Sequence, residues 1–197
     1  APAMVIRPGS RTRVHARAQR CTVAAAAVAA LGWTMSATAQ TWNVDTNGNW
    51  QVGANWTPAS APNLAGATAT LGSVITAPRT VTLGTPITIG ALNYTGGFAY
   101  LVSGANPLTF DVAAGNAAIN VAGTAAHTIS SAIVLNDTLA IGQGSTGTLT
   151  LSGGLSGAGG LIKDGTGTVL LNGVAGSFTG ATQINDGTLT YGVGSAI

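Results

Sequence analysis

Three short segments twenty residues apart share one layout, each introduced by Gly-Thr: Leu149-Thr150-Leu151 follows Gly147-Thr148, Val169-Leu170-Leu171 follows Gly167-Thr168, and Leu189-Thr190-Tyr191 follows Gly187-Thr188. A period of about twenty residues, with one alternating strand and glycine punctuation per unit, is the pattern of a chain that coils and stacks each turn on the last. Successive side chains of a strand face opposite ways, so Leu149, Val169 and Leu189 are expected to form one buried ladder, and Leu151, Leu171 and Tyr191 a second. Thr148, Thr168 and Thr188, with Thr150, Leu170 and Thr190, then face outward, and Leu170 is the one apolar interruption.

Between these strands lie Gly153-Gly154, Gly157, Gly159-Gly160, Gly165, Gly173, Gly176 and Gly180, and the pairs Asn172-Gly173 and Asp186-Gly187. They are read as corners, where a coil needs backbone conformations that glycine adopts without steric cost. Further strands are expected at 161–163 and 181–184. The same texture runs upstream through 80–83, 87–89, 100–102, 108–110, 118–121, 128–130, 132–135 and 138–141. After residue 40 no stretch keeps a 3.6-residue period, so the chain is assigned to the all-β class as a parallel β-helix, or β-solenoid, with coils of about 20 residues.

The first 39 residues follow a different rule. Arg7, Arg11, Arg13, Arg17 and Arg20 form a basic segment, 21–31 is an alanine-rich apolar run, and Ala37-Thr38-Ala39 precedes Gln40. This is the layout of a cleaved signal peptide, with the cut between Ala39 and Gln40. The apolar run is too short for a stable membrane span. Cys21 does not stand at the cut, as a lipoprotein would require, and Arg11-Thr12-Arg13 lacks the adjacent arginines of a twin-arginine signal, so the general secretion (Sec) route is favoured. The chain begins at Ala1 with its first methionine at Met4, which reads as a fragment edge or a misplaced start.

Without the leader only Arg79 and Lys163 remain basic, against Asp45, Asp111, Asp137, Asp164 and Asp186, and the formal charge moves from +2 to −3. The basic character of the whole chain belongs to the leader, and no patch suited to nucleic acid is left. The mature part has no cysteine, so its stability is expected from strand ladders and not from disulfides. Three segments are expected: the signal peptide at 1–39, a tryptophan-rich N-terminal cap at 40–75, and the β-helix at 76–197 with its clearest repeat at 149–191. At about twenty residues per coil the mature part would make about eight coils, a rod near 40 Å long at about 4.8 Å per coil.

The run Leu155-Ser156-Gly157-x-Gly159-Gly160-Leu161-x-Lys163-x-Gly165-x-Gly167-Thr168-x-Leu170, continued by Phe178-Thr179-Gly180-x-Thr182-x-Ile184-x-x-Gly187-Thr188-Leu189, resembles the autotransporter-associated β-strand repeat, also called the passenger-associated transport repeat. Trp42, Trp50 and Asn55-Trp56, followed by Pro58, Pro62-Asn63 and Gly66-Ala67, are similar to the tryptophan-rich opening that often precedes such repeats in exported bacterial proteins. Val174-Ala175-Gly176-Ser177 departs from the family, which usually carries an asparagine and a tyrosine or threonine there. The resemblance implies a right-handed parallel β-helix, exported and commonly carried to the cell surface by a C-terminal β-barrel, with the repeat serving passenger transport and folding and not catalysis. Because the chain stops at Ile197 straight after one repeat, it reads as the N-terminal part of a longer product.

Enzymes built on parallel β-helices need clustered carboxylates and usually a basic partner. This chain has no glutamate, and its five aspartates are widely spaced. Asp164 and Asp186, about one coil apart, are the nearest to a pair, and each stands before a glycine in an apparent turn. His127 has no cysteine or acid at ligand spacing and reads as a surface or capping residue. No Gly-x-Ser-x-Gly elbow is followed by an acid and a histidine, and Gly142-x-Gly144 and Gly157-x-Gly159-Gly160 open no helix that would meet a phosphate. No catalytic, metal or cofactor-binding residue is therefore assigned. Trp42, Trp50 and Trp56 allow two readings, a cap over the open end of the core or an aromatic platform for glycans.

The reading that follows is a non-enzymatic exported structural passenger: a stalk at the bacterial cell surface that supports adhesion or passenger translocation, secreted to the outer membrane after Sec export. Its implied partners are an outer-membrane β-barrel translocator in the same full-length chain, and a surface glycan or host ligand. The alternatives are a glycan-binding module using the N-terminal tryptophans, a β-helical polysaccharide lyase, and an ice-binding solenoid using Thr148-x-Thr150 and Thr188-x-Thr190.

Overall fold

In the computed structural model the described residues are 38–173 and 176–192. They form a parallel β-solenoid of about six turns with coils of about 22 residues. Each full coil contributes one strand to each of three sheets. The first sheet stacks Ala39–Trp42, Thr68–Leu71, Ala91–Tyr94, Ala117–Val121, Leu139–Gln143, Leu161–Asp164 and Thr182–Ile184, with Trp56–Thr57 added antiparallel beside the first strand. The second stacks Gly48–Asn49, Arg79–Thr82, Tyr100–Ser103, His127–Ile129, Leu149–Leu151, Thr168–Leu171 and Thr188–Tyr191. The third stacks Ile87–Ile89, Leu108–Phe110, Ile133–Leu135, Leu155–Gly157 and Ser177–Phe178. Only a three-residue 3-10 turn, Gly53–Asn55, interrupts the β structure among the described residues.

The register explains the repeat. Val169 pairs with both Leu149 and Leu189, and Leu171 with both Leu151 and Tyr191, so the twenty-residue period is a real coil length in the second sheet. Leu149 and Val169 are fully buried and Leu171 nearly so, while Leu189 and Tyr191 in the last described coil are only partly covered. The expected inner and outer faces are thus those observed. Upstream the coils widen: Leu101 pairs with Thr128, an advance of twenty-seven residues, and Gly48 with Val81, an advance of thirty-three. Six turns therefore occupy the length that a uniform twenty-residue coil would have divided into eight.

Glycine does two different jobs at the corners. Gly154, Gly157, Gly165 and Gly187 have positive φ, as a turning backbone requires. Gly153 does not; there the coils touch, and a Cβ would lie 1.9 Å from the Ser131 carbonyl oxygen of the coil before. Conformational freedom alone does not account for the glycine content. Backbone-to-backbone approach between coils accounts for much of the rest.

Candidate functional site

The described residues bring no group of three or more histidine, cysteine, aspartate or glutamate side chains together as a metal site. Asp164 and Asp186 occupy neighbouring coils, and each is engaged locally: an Asp164 carboxylate oxygen accepts from Asn185 Nδ2 at 2.7 Å, and Asp186 Oδ1 accepts from the Gly187 amide at 2.7 Å. Their main-chain carbonyls matter more than their carboxylates. Lys163 is fully buried although it is the only lysine in the chain. Its Nζ donates to Asp164 O at 2.9 Å, to Gly165 O, and to Asp186 O at 3.2 Å.

The local sequence makes this cage. In the strand Leu161–Asp164 the side chains of Leu161 and Lys163 point inward, and Lys163 takes the place that Ile141 fills one coil earlier. An ammonium needs carbonyls there because no water-exposed route is open to it. Gly165, in the left-handed region, turns the chain so that its own carbonyl and that of Asp164 face the Nζ, and the next coil supplies Asp186 O. A Cβ on Gly187, which has positive φ, would lie 2.4 Å from Gly165 O, one of the carbonyls that hold the Nζ, and 2.5 Å from Gly167 O, so this position excludes a side chain. Burial lowers the Lys163 pKa, and the nearby Asp186 and Asp164 charges act against that shift.

The same corner between first and second sheets holds buried polar groups in earlier coils. Gln143, fully buried, donates through Nε2 to Gly147 O at 2.6 Å and accepts at Oε1 from the Ser145 amide at 3.2 Å and from Ser145 Oγ at 3.1 Å. His127 is not the surface residue expected from its isolation in the sequence: it begins a strand of the second sheet with its side chain in the core. Its Nδ1 accepts from the Tyr100 amide at 3.1 Å, and its ring stacks on Tyr94 at 4.1 Å. The neutral ring therefore carries its proton on Nε2, which has no hydrogen-bond partner. Desolvation pushes the His127 pKa down to about 4. The polar interior of this corner is a feature that sequence reading missed, because inward polar residues look like breaks in an apolar alternation.

Trp42, Trp50 and Trp56 are all fully buried, which overturns the glycan-platform reading: none of the three indoles offers a face to a sugar. Trp56 packs edge-on against Trp42 at 5.2 Å and tilted against Trp50 at 4.8 Å. Each indole N–H is satisfied by a carbonyl, Trp42 by Val44, Trp50 by Pro62 and Trp56 by Trp50. The outward threonine array of the second sheet is broken twice, since Leu101 pairs with Thr80 and Thr128, and Leu170 with Thr150 and Thr190. A regular threonine lattice for ice is absent from that face.

Residues 161–190 match the family model for the passenger-associated-transport-repeat. This segment is similar to a passenger transport repeat. The matched segment runs from the strand that bears Lys163 to the strand that ends the described second sheet, so the passenger repeat is one coil plus the contacts that seat it on the next. No curated protein and no solved structure matches the chain. The repeat and the β-solenoid together are features of an autotransporter passenger.

Proposed function

We propose that the chain is an exported, non-enzymatic scaffold: a segment of a passenger stalk that leaves the cytoplasm with residues 1–39 as its leader and stands at the bacterial surface, held by an outer-membrane β-barrel translocator in the full-length product. The observation that carries this reading is the Lys163 cage, because it uses the passenger repeat's buried cation to fasten one coil to the next and leaves it no freedom for chemistry. Stacked coils of this kind give stability by nearest-neighbour contacts, which suits a chain that folds progressively as it emerges. The aspartates serve turns and inter-coil bonds: Asp137 accepts from the Val112 amide, Asp111 from Asn136, and Asp45 from Thr76 and Arg79. A role in adhesion then falls to surface glycans or host ligands met along the stalk, and not to the tryptophans.

The test is display. Joined to an outer-membrane β-barrel translocator, the chain is expected to reach the cell surface as protease-accessible, folded passenger, and Lys163→Met is expected to lower the folded, protease-resistant fraction. A purified protein that turned over a polysaccharide, and lost that turnover with Asp164→Ala or Asp186→Ala, would replace the scaffold by an enzyme.

A further inference from the structure

At the start of a strand in the second sheet, the amide donates to a main-chain carbonyl of the next coil: Arg79 to Ala99 O at 3.1 Å, and His127 to Thr148 O at 3.1 Å. Between the coils of Tyr100 and His127 the same step is built differently. Register pairing begins only at Leu101 with Thr128, and the Tyr100 amide donates to His127 Nδ1 at 3.1 Å, so an imidazole stands where a carbonyl serves in the neighbouring coils. This is also the thinnest part of the stack. The second sheet joins these two coils through two residue pairs, Leu101 with Thr128 and Val102 with Ile129, whereas the first sheet joins them through four and the third through three.

A carbonyl accepts at any pH, but an imidazole accepts only while it is neutral. Because Nε2 already carries the ring hydrogen, an added proton goes to Nδ1, and two donors then face each other across the bond to Tyr100. Turning the ring over restores no acceptor, since both nitrogens of the cation carry hydrogen. The surrounding core offers the charge no partner either. The titratable groups that face the ring are phenols, Tyr94 of the first sheet at 4.1 Å and Tyr100 of the adjoining coil at 6.2 Å between centroids. Burial raises both of their pKa values, that of Tyr100 to about 12, so neither supplies a countercharge. The strand on the other side, Leu149–Leu151, brings leucine and threonine, and Arg79, paired with Tyr100, brings a cation. Asp45, whose charge reaches Tyr100, is already engaged by Thr76 and Arg79. A recess of about 430 Å³, bordered by Arg79, Ala99, Tyr100, Leu101, Ala126 and Thr128, brings solvent to the same step of the sheet.

We propose that His127 is an acid-released joint: protonation breaks its bond with Tyr100 and opens the second sheet locally between Tyr100–Ser103 and His127–Ile129, while the first and third sheets keep the two coils stacked. Local opening of this kind starts where the fewest contacts hold the chain. The buried ring stays neutral down to about 4, whereas a ring opened to water ionises near 6.5; closure is therefore complete above about 6.5 and is lost progressively as pH falls toward 4.

The experiment is amide hydrogen exchange on the full chain, expressed at each pH as protection relative to the intrinsic exchange rate. The Tyr100 amide, and the Ser130 amide that donates to Val102 O, report on the joint; the Ala118 and Ala122 amides, which donate to Gly90 O and Tyr94 O, report on the first sheet of the same two coils. Between pH 7 and pH 4 the protection of Tyr100 and Ser130 is expected to fall about 100-fold, while that of Ala118 and Ala122 holds within about threefold. His127→Gln, which offers Tyr100 an amide oxygen that does not titrate, is expected to remove the pH dependence. An equal fall at all four amides, protection unchanged down to pH 4, or an unaltered fall in His127→Gln overturns the proposal. Should that variant fail to fold, nitrogen NMR of the His127 ring in the unaltered chain decides: protection lost in step with ring protonation supports the joint, and protection lost at a different pH overturns it.

Discussion

The tryptophan-lined first coil and the passenger repeat solve the same stacking problem with opposite means. In the first coil the chain advances from Thr41 to Thr70 before it returns to the first sheet, and the wide interior is filled by three buried indoles. Side chains tie it to the coil above: Asn47 Oδ1 accepts from the Thr80 amide at 2.8 Å, Asn63 Oδ1 from the Thr88 amide at 2.7 Å, and Asp45 takes the Thr76 amide and the Arg79 guanidinium, each at 3.0 Å. In the repeat the coil is short, backbones touch at glycines, and the long side chain of Lys163 bridges the coils from inside. Width needs volume and specific polar ties, whereas a narrow coil needs the absence of side chains at its corners.

That contrast can be broken most severely at Trp56. Trp56→Ala removes the indole that contacts both other tryptophans, and a loss of about 3–5 kcal/mol is expected in denaturant unfolding. A loss under about 1 kcal/mol would show that the first coil does not depend on indole volume. In the repeat, Val169→Asp places a charge between Leu149 and Leu189 and is expected to cost about 3 kcal/mol or more, while Thr168→Asp on the outer face stays within about 0.5 kcal/mol. Equal effects of the two in thermal melts would reverse the assignment of faces.

Lys163→Met sharpens the comparison, since it keeps the length of the side chain and removes the donor. With Asp164 O, Gly165 O and Asp186 O left short of a partner, about 1–3 kcal/mol of destabilisation is expected, read by circular dichroism melts. An unchanged or raised melting temperature would mean that the ammonium's desolvation outweighs its cage.

The pH-dependent part of the stability belongs to His127, and at neutral pH that part is the smallest effect. Its folded pKa, about 4, lies below the ordinary histidine value because burial penalises the cation. The unfolded chain therefore binds the proton first, and the contribution of the neutral ring, fully present above about 6.5, is lost as pH falls toward 4. His127→Gln should lower the neutral-pH melt, because it removes the buried ring stacked on Tyr94, and should flatten the decline between those values. An equally steep decline between those values in the variant would overturn the His127 assignment, because Asp45, whose pKa is lowered chiefly by the Thr76 hydroxyl and amide with Arg79 adding to them, loses its contribution only below the ordinary aspartate range.

The strand ladders were legible in the sequence wherever the coil is short. From Leu149 to Tyr191 the constant advance repeats in the chain the same inward and outward order that the register shows in space. The strands Thr68–Leu71, Ala91–Tyr94 and Leu155–Gly157 were not singled out, because alanine, asparagine and glycine weaken the alternation that marks a strand. Where coils widen, from Leu101 to Thr128, the loops break the period, and the eight-coil count fails for that reason. Residues 1–37 of the leader expected at 1–39, and Val174-Ala175 of the departure at 174–177, lie outside the described residues.

What the sequence determined by itself is the all-β class, the stacking of coils, the aliphatic ladders and the kinship of the repeat, since each rests on a local pattern that recurs. What only the tertiary structure decided is which exceptions are internal. Lys163, Gln143 and His127 each sit at an inward position of a strand, a fact that alternation alone hints at but polarity contradicts. The carbonyls that make burial of an ammonium tolerable come from Asp164 and Gly165 in one coil and Asp186 in the next, and their convergence depends on coil register and on the turn at Gly165. A single coil read along the chain contains the donor but not all of its acceptors.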